Sequence, residues 1–277
     1  MGAEGLPSSA DAAAAGGPAR VRWPGEAIWL AVEPLLAGFT VEILPELDST
    51  NSELMRRARA GRTEPILLLA ERQTAGRGRL GRGWRSGAGQ SLTFSLGLAL
   101  APADWSGLSL AVGVALAESL HPAIQLKWPN DLWLADRKLA GVLIETAGSG
   151  EGETSRYAVI GVGINLMAPP SDGLSTAPAG LAELLPGLSA GEVLQRVAVP
   201  LVQAIQSFES LGFAPFQARF NARDALRDRA VALSDGSAGT ARGVNERGAL
   251  LVHTAGAMIS VTSSEVSVRP AGGASAA

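Results

Sequence analysis

The run Pro65-Ile66-Leu67-Leu68-Leu69-Ala70 constrains the fold more than any other feature of this chain. It has the length of a strand, and a strand apolar on both sides belongs inside a sheet that is covered on both faces. Residues 91–96, Ser-Leu-Thr-Phe-Ser-Leu, alternate and predict a half-buried strand, while residues 108–120 have helical spacing with small side chains. Three more strand-like runs follow at 124–128, 139–145 and 157–166, with a turn at Asp136-Arg137, and helices are expected from 190 to 229 with breaks near Gly212 and Pro215. The last fifty residues change character. Short β-rich runs at 230–233, 240–244, 250–253 and 258–261 alternate with turn signals, which predicts a small β-barrel after a mixed domain of strands and helices.

Composition narrows the chemistry. With 277 residues, 47% hydrophobic and 18% charged, the chain can bury one large core and a small one without disulfides. A formal net charge of -3 disfavours broad attraction to nucleic acid or an anionic membrane, so any anion site must be a local basic cluster. The chain has no cysteine, which excludes thiol catalysis, disulfides and thiolate metal sites. His121 and His253 stand far apart without a carboxylate or second histidine at ligand spacing, so zinc is not expected. The first ~26 residues are rich in Ala, Gly, Pro and Ser and read as a floppy tail rather than a signal peptide. No apolar run reaches the ~18 residues of a spanning helix, so a cytoplasmic protein without membrane partners is expected.

Four stretches carry chemistry. Residues 27–44 predict a short helix leading into a strand, which ends at Asp48-Ser49-Thr50-Asn51; Thr50 with Glu53 predicts a capping box for a helix with Leu54, Met55 and Ala58 on its apolar stripe. After the strand at 65–70 comes Gln73-Thr74-Ala75-Gly76-Arg77-Gly78-Arg79-Leu80-Gly81-Arg82-Gly83-Trp84-Arg85. It contains Gly-x-Gly-x-x-Gly, but the chain runs on through further glycines into a strand instead of opening a helix, so the dinucleotide fingerprint is rejected. What is left is a glycine-rich loop with four arginines, whose rigid donor forks suit carboxylate and phosphate. A solvated basic loop explains the same composition equally well. Lys127-Trp128-Pro129-Asn130-Asp131 follows a strand, either as a site at a strand end or as a plain turn. Arg137-Lys138-Leu139-Ala140-Gly141 places a lysine at the start of an otherwise buried strand, where an anionic ligand or a solvent-facing terminus would account for it. Gly161-Val162-Gly163-Ile164-Asn165 sets glycines inside a strand, for close approach of a ligand or for core packing.

In order and spacing these stretches resemble the biotin protein ligase family, strongly over residues 44–166 and loosely over the C-terminal β-rich segment. The resemblance implies an α+β fold: a class II synthetase-like catalytic domain with a mixed sheet flanked by helices (residues 27–228), then a small SH3-like β-barrel (229–272). It implies that Ser49, Thr50, Asn51 and Gln73 contact biotin, that Gly76, Arg77, Gly78 and Arg79 fold over biotin and its adenylate, and that Lys138 holds the biotin carboxylate and the phosphate of the intermediate. Lys138, Arg79 and Arg77 are the expected catalytic groups. Arg82, Trp84, Asn130, Asp131, Asn165 and the C-terminal Arg269 are the expected ATP-side residues.

The implied activity is ATP-dependent formation of biotinyl-5'-AMP, with Mg²⁺, and transfer of biotin to a lysine of the biotin carboxyl carrier protein of acetyl-CoA carboxylase, by a monomer or homodimer. Some family members carry a helix-turn-helix domain of ~60 residues ahead of the catalytic part. Only 48 residues precede Ser49 here, many of them Ala, Gly and Pro, so an enzyme without repressor activity and without a nucleic-acid partner is expected. A lipoate or octanoyl ligase of the same superfamily and a noncatalytic nucleic-acid-binding module are the alternatives.

Overall fold

The computed structural model describes residues 22–148, 155–174, 176–234, 236–262 and 268–270, the last three by their backbone alone. Helix α1 (Gly25–Val32) buries Ile28 and Val32 and leads to strand β1 (Thr40–Leu47), helix α2 (Thr50–Arg59) and strand β2 (Ile66–Gln73). Strand β3 (Ser91–Leu100), helix α3 (Leu108–Leu120) and strands β4 (Gln125–Lys127), β5 (Asp131–Leu134), β6 (Arg137–Ala147) and β7 (Arg156–Asn165) follow. They form a seven-stranded sheet in the order β1-β2-β3-β7-β6-β5-β4. Only β1 and β2 pair in parallel, so the sheet is mixed.

Its two faces carry different residues because side chains alternate along each strand. On one face Leu67, Leu69, Phe94, Leu96, Val142, Ile160 and Val162 join one large core with α3 and with helix α4 (Ala190–Leu211), whose start is fixed by a Ser189–Glu192 capping box. On the other face Leu68, Tyr157 and Val159 pack against Leu54 and Met55 of α2. The continuous apolar run in β2 is thus explained by cover on both sides.

Two local expectations are corrected. Strand β3 is not half-buried: Ser91, Thr93 and Ser95 are 7%, 2% and 0% exposed, because its polar face meets α2 and other polar side chains rather than water. The cap of α2 is Ser49, whose hydroxyl accepts from the Ser52 N–H, and not Thr50 with Glu53. The Thr50 hydroxyl is engaged by Gln73 and Ser95, and Glu53 by Arg56 and Arg57.

Helix α5 (Ala214–Asn221) leads to the second sheet, β8 (Ala230–Leu233), β9 (Ala238–Val244), β10 (Leu250–His253), β11 (Met258–Val261) and β12 (Val268–Pro270). These five strands are antiparallel in the order β11-β10-β9-β8-β12. The sheet is tied to the first one at the 127–131 stretch. The buried Trp128 indole donates to the Gly248 carbonyl at 3.0 Å, and Leu126 exchanges backbone hydrogen bonds with Arg223 and Ala225.

Between them lies Asp224, 9% exposed, whose Oδ1 accepts from the Leu226 N–H at 2.9 Å while Oδ2 is buried without a partner. Burial pushes this carboxyl up from 3.8 to about 6. A group raised on folding stabilises fully below its unfolded value and loses that contribution as pH climbs through the folded value. Asp224→Asn should therefore raise the unfolding free energy at pH 8 by about 1–3 kcal/mol and change it far less at pH 4. Thermal or denaturant unfolding at the two pH values checks this, and equal effects at both would refute it.

Candidate functional site

The site is built on the α2 side of the first sheet. Strand register aligns Ala70, Thr93, Gly163, Gly141 and Asp131 in one row across five strands, and Leu68, Ser95, Gly161 and Leu143 in the next. The floor is consequently made of glycines and small hydroxyls. A Cβ on Gly161 would overlap the Asn51 side chain, and one on Gly163 would overlap the Trp84 indole. The two glycines let a helix start from one side and a loop from the other lie flush on the sheet.

A chain of polar groups lines the α2 end. Gln73 Oε1 accepts from the Thr50 N–H at 2.7 Å and from its hydroxyl at 3.1 Å. Ser95 Oγ, fully buried, lies 2.7 Å from Thr50 Oγ1 and donates to Asn51 Oδ1 at 2.6 Å. Asn51 Nδ2 donates to the Leu143 carbonyl at 3.2 Å and to Glu145 Oε2 at 3.0 Å. The Thr50, Asn51 and Ser95 side chains are all hydrogen-bonded, as burial requires.

The arginine loop is folded back on itself. Trp84 N–H donates to the Gly76 carbonyl and Gly78 N–H to the Arg82 carbonyl, around a one-turn 3₁₀ segment, Arg79–Gly81. At Gly76 a Cβ would strike the Trp84 carbonyl, so this glycine is required by the close pairing of the loop's two arms. Arg77 Nη2 donates to Glu145 Oε2 at 2.5 Å, and Arg85 donates to the carbonyls of Pro170 and Asp172. Burial holds the Arg79 guanidinium below its ordinary value, against the pull of Asp131.

Lys138 sits where the β5–β6 register shifts, with its backbone bonded to Ala177 and Ala179. Its Nζ lies 2.7 Å from Asp131 Oδ1, an ion pair without hydrogen-bond alignment, and 6.0 Å from the centre of the Trp84 ring. Asn130 Nδ2 donates to the Val142 carbonyl at 2.9 Å.

Arg77, Arg79 and Lys138 line one cavity together with Ser49, Thr50, Asn51, Gln73, Gly78, Trp84 and Asn130. Gly76 forms the loop's root, and Asp131 reaches the cavity through Lys138. Arg82 is exposed on the loop, while Asn165, 6% exposed, donates to the carbonyls of Lys138 and Ala179 and braces that lysine from behind. The Arg269 side chain lies outside the described residues; its backbone pairs with Ala232. Sequence reasoning missed Thr93, Ser95 and Glu145. The signal for the first two was the polar half of the β3 alternation, and for Glu145 a lone carboxylate near the end of an apolar strand.

Among the described residues no three His, Asp or Glu side chains gather into a metal cage. The Asp131 carboxylate and the Asn130 side-chain oxygen nevertheless suit Mg²⁺, which keeps most of its waters and takes one or two protein oxygens beside nucleotide phosphates. The Trp84 N–H is buried without a hydrogen-bond partner against Gly163, on a residue that lines the cavity.

Gly161→Ala should displace Asn51 and disorder the polar chain at a cost of about 1–3 kcal/mol. Unfolding measurements read the loss, and an unchanged stability would refute the close packing.

Comparison with known proteins agrees with this geometry. Residues 44–165 match the Biotin/lipoate A/B protein ligase family, and residues 230–269 the Biotin protein ligase C terminal domain. The chain is 37% identical over 248 residues to the bifunctional ligase/repressor BirA of Escherichia coli, covering 85% of this chain and 76% of that protein. It is 32% identical over 243 residues to the biotin--[acetyl-CoA-carboxylase] ligase of Mycobacterium tuberculosis, covering 82% and 88%. Among solved structures, biotin protein ligase from Aquifex aeolicus in complex with biotin and ATP superposes with a TM-score of 0.70 at 29% identity, over 83% of this chain and 98% of that one. With both of its sheets matched and its glycine, arginine and lysine motifs converging on one cavity, the chain belongs to the biotin protein ligase family.

Proposed function

We propose that this protein activates biotin with ATP and then transfers it to a lysine of the biotin carboxyl carrier protein of acetyl-CoA carboxylase. The observation that carries the reading is the two-ended cavity. Asn51, Thr50 and Gln73 offer neutral hydrogen-bonding groups at one end, with Arg77 beside Asn51 through the shared Glu145 oxygen, and Lys138 and Arg79 gather near Asp131 at the other. A urea-like ring with a carboxylate on an aliphatic chain matches both ends. Lipoate has no ring able to use the neutral end, so a thermal-shift comparison should favour biotin.

In the first step a biotin carboxylate oxygen attacks the α-phosphorus of ATP, the bond to the β-phosphate bridge breaks and pyrophosphate leaves. Two anions must be held in line, and negative charge on the phosphate must be met by fixed cations. Lys138 and Arg79, which both line the cavity, would do that work. Mg²⁺ arriving with the nucleotide at Asn130 and Asp131 would neutralise phosphate charge. The incoming anion also replaces Asp131 as the partner of Lys138.

In the second step the acceptor amine attacks the acyl carbon, the bond to phosphate breaks, AMP leaves and the amine gives up its proton. Until then the arginine loop must keep water from the mixed anhydride. A reaction that consumes ATP and modifies a carboxylase subunit belongs in the cytoplasm.

The test is ATP–pyrophosphate exchange that depends on added biotin; exchange without biotin, or none, would overturn the reading. Lys138→Ala should reduce exchange by at least ~100-fold, and a variant retaining full exchange would remove Lys138 from its role. Arg79→Ala should release the adenylate faster and biotinylate bystander proteins, whereas unchanged retention of the intermediate would show that Arg79 does not seal the cavity.

A further inference from the structure

We propose that Glu145 is a positioning residue that couples recognition of the ligand's ring to docking of the arginine loop. The inference rests on the biotin-activating reading and adds a group to which that reading gives no part.

Glu145 follows Gly141 and Leu143 at every second position of β6, on the face of the sheet that carries the cavity, and its side chain is 26% exposed. One oxygen, Oε2, accepts from both Asn51 Nδ2 and Arg77 Nη2. These donors come from the start of α2 and from the stem of the loop, and no described hydrogen bond joins Asn51 directly to Arg77.

Each contact has its own consequence. An asparagine amide offers a donor on one side and an acceptor on the other, and its surroundings decide which way it faces. The carboxylate of Glu145 and the carbonyl of Leu143 only accept, so together they draw Nδ2 and turn Oδ1 toward Ser95. Oδ1 has a second lone pair, and Asn51 lines the cavity, so the site presents an acceptor to a ligand N–H. With Arg77 the carboxylate makes a charge-assisted bond that anchors a glycine-rich segment otherwise costly to order. Because one oxygen serves both donors, disturbing either contact disturbs the other. A ligand N–H bound to Asn51 polarises the amide toward Glu145, and the docked Arg77 holds that carboxylate in place.

The experiment compares Glu145→Ala, Glu145→Gln, Arg77→Ala and the double variant Arg77→Ala/Glu145→Ala with the wild-type chain, with cleavage read after Arg79, Arg82 and Arg85, which all of them keep. Glu145→Ala should weaken biotin binding by about tenfold or more in calorimetry and speed tryptic cleavage after the loop arginines severalfold in the unliganded protein. It should leave the KM for ATP within about twofold. Glu145→Gln, which keeps the shape and one acceptor, should recover part of the biotin affinity. The double variant should be cleaved no faster than the faster single variant, as expected of groups acting through one contact. Wild-type affinity and cleavage in Glu145→Ala would overturn the inference. So would parallel losses in biotin affinity and ATP KM with a lowered Tm, the mark of general damage. Cleavage of the unliganded loop needs no biotin: if the wild-type chain proves not to bind biotin, the functional reading fails on that result, and the Glu145–Arg77 contact is still judged by cleavage.

Discussion

The site depends on the absence of side chains at two positions of one strand. Gly161 and Gly163 lie in the middle of β7, and there α2 presses Asn51 against one while the arginine loop presses Trp84 against the other. Neither approach is possible over a Cβ. Lined by Thr93, Ser95 and Gly141 from the neighbouring strands, this small-residue floor sets the depth of the cavity and brings its polar end and its cationic end onto one surface.

Placing several cations round one cavity creates repulsion that the unliganded protein must absorb. Each is handled differently. Arg77 has the Glu145 carboxylate, Lys138 is paired with Asp131, and Arg79, disfavoured by burial, feels the opposing pull of Asp131. Both ion pairs are part-exposed, so solvent screens them and an incoming anion can compete for either cation. The Lys138–Asp131 pair is in close ionic contact at 2.7 Å, so an incoming anion must compete with Asp131 for Lys138.

The second sheet contributes by support. Trp128 is fully buried with its indole bonded to Gly248, and Leu126 is bracketed by Arg223 and Ala225, so the strand leading into Asn130 and Asp131 is held from outside the first sheet. Asn165 does similar work behind Lys138. Residues that look like ligand contacts in a motif can thus serve by fixing the backbone of their neighbours.

The sequence by itself determined a domain of strands and helices, the helix over 108–120 and the short strands at 230–233, 250–253 and 258–261, because each depends on local periodicity and turn chemistry, while the mixed sheet came from the family resemblance. It also determined which residue types could meet anions, since the arginines and Lys138 stand in distinctive glycine-rich or apolar settings. Only the tertiary structure decided what the polar half of β3 faces, which residue caps α2, and that one oxygen of Glu145 joins Asn51 to Arg77 across 94 and 68 residues of chain. The physical reason is that alternation reports a polar face without saying whether water or another polar side chain will cover it. That choice is made when distant segments pack and most buried donors and acceptors find a partner.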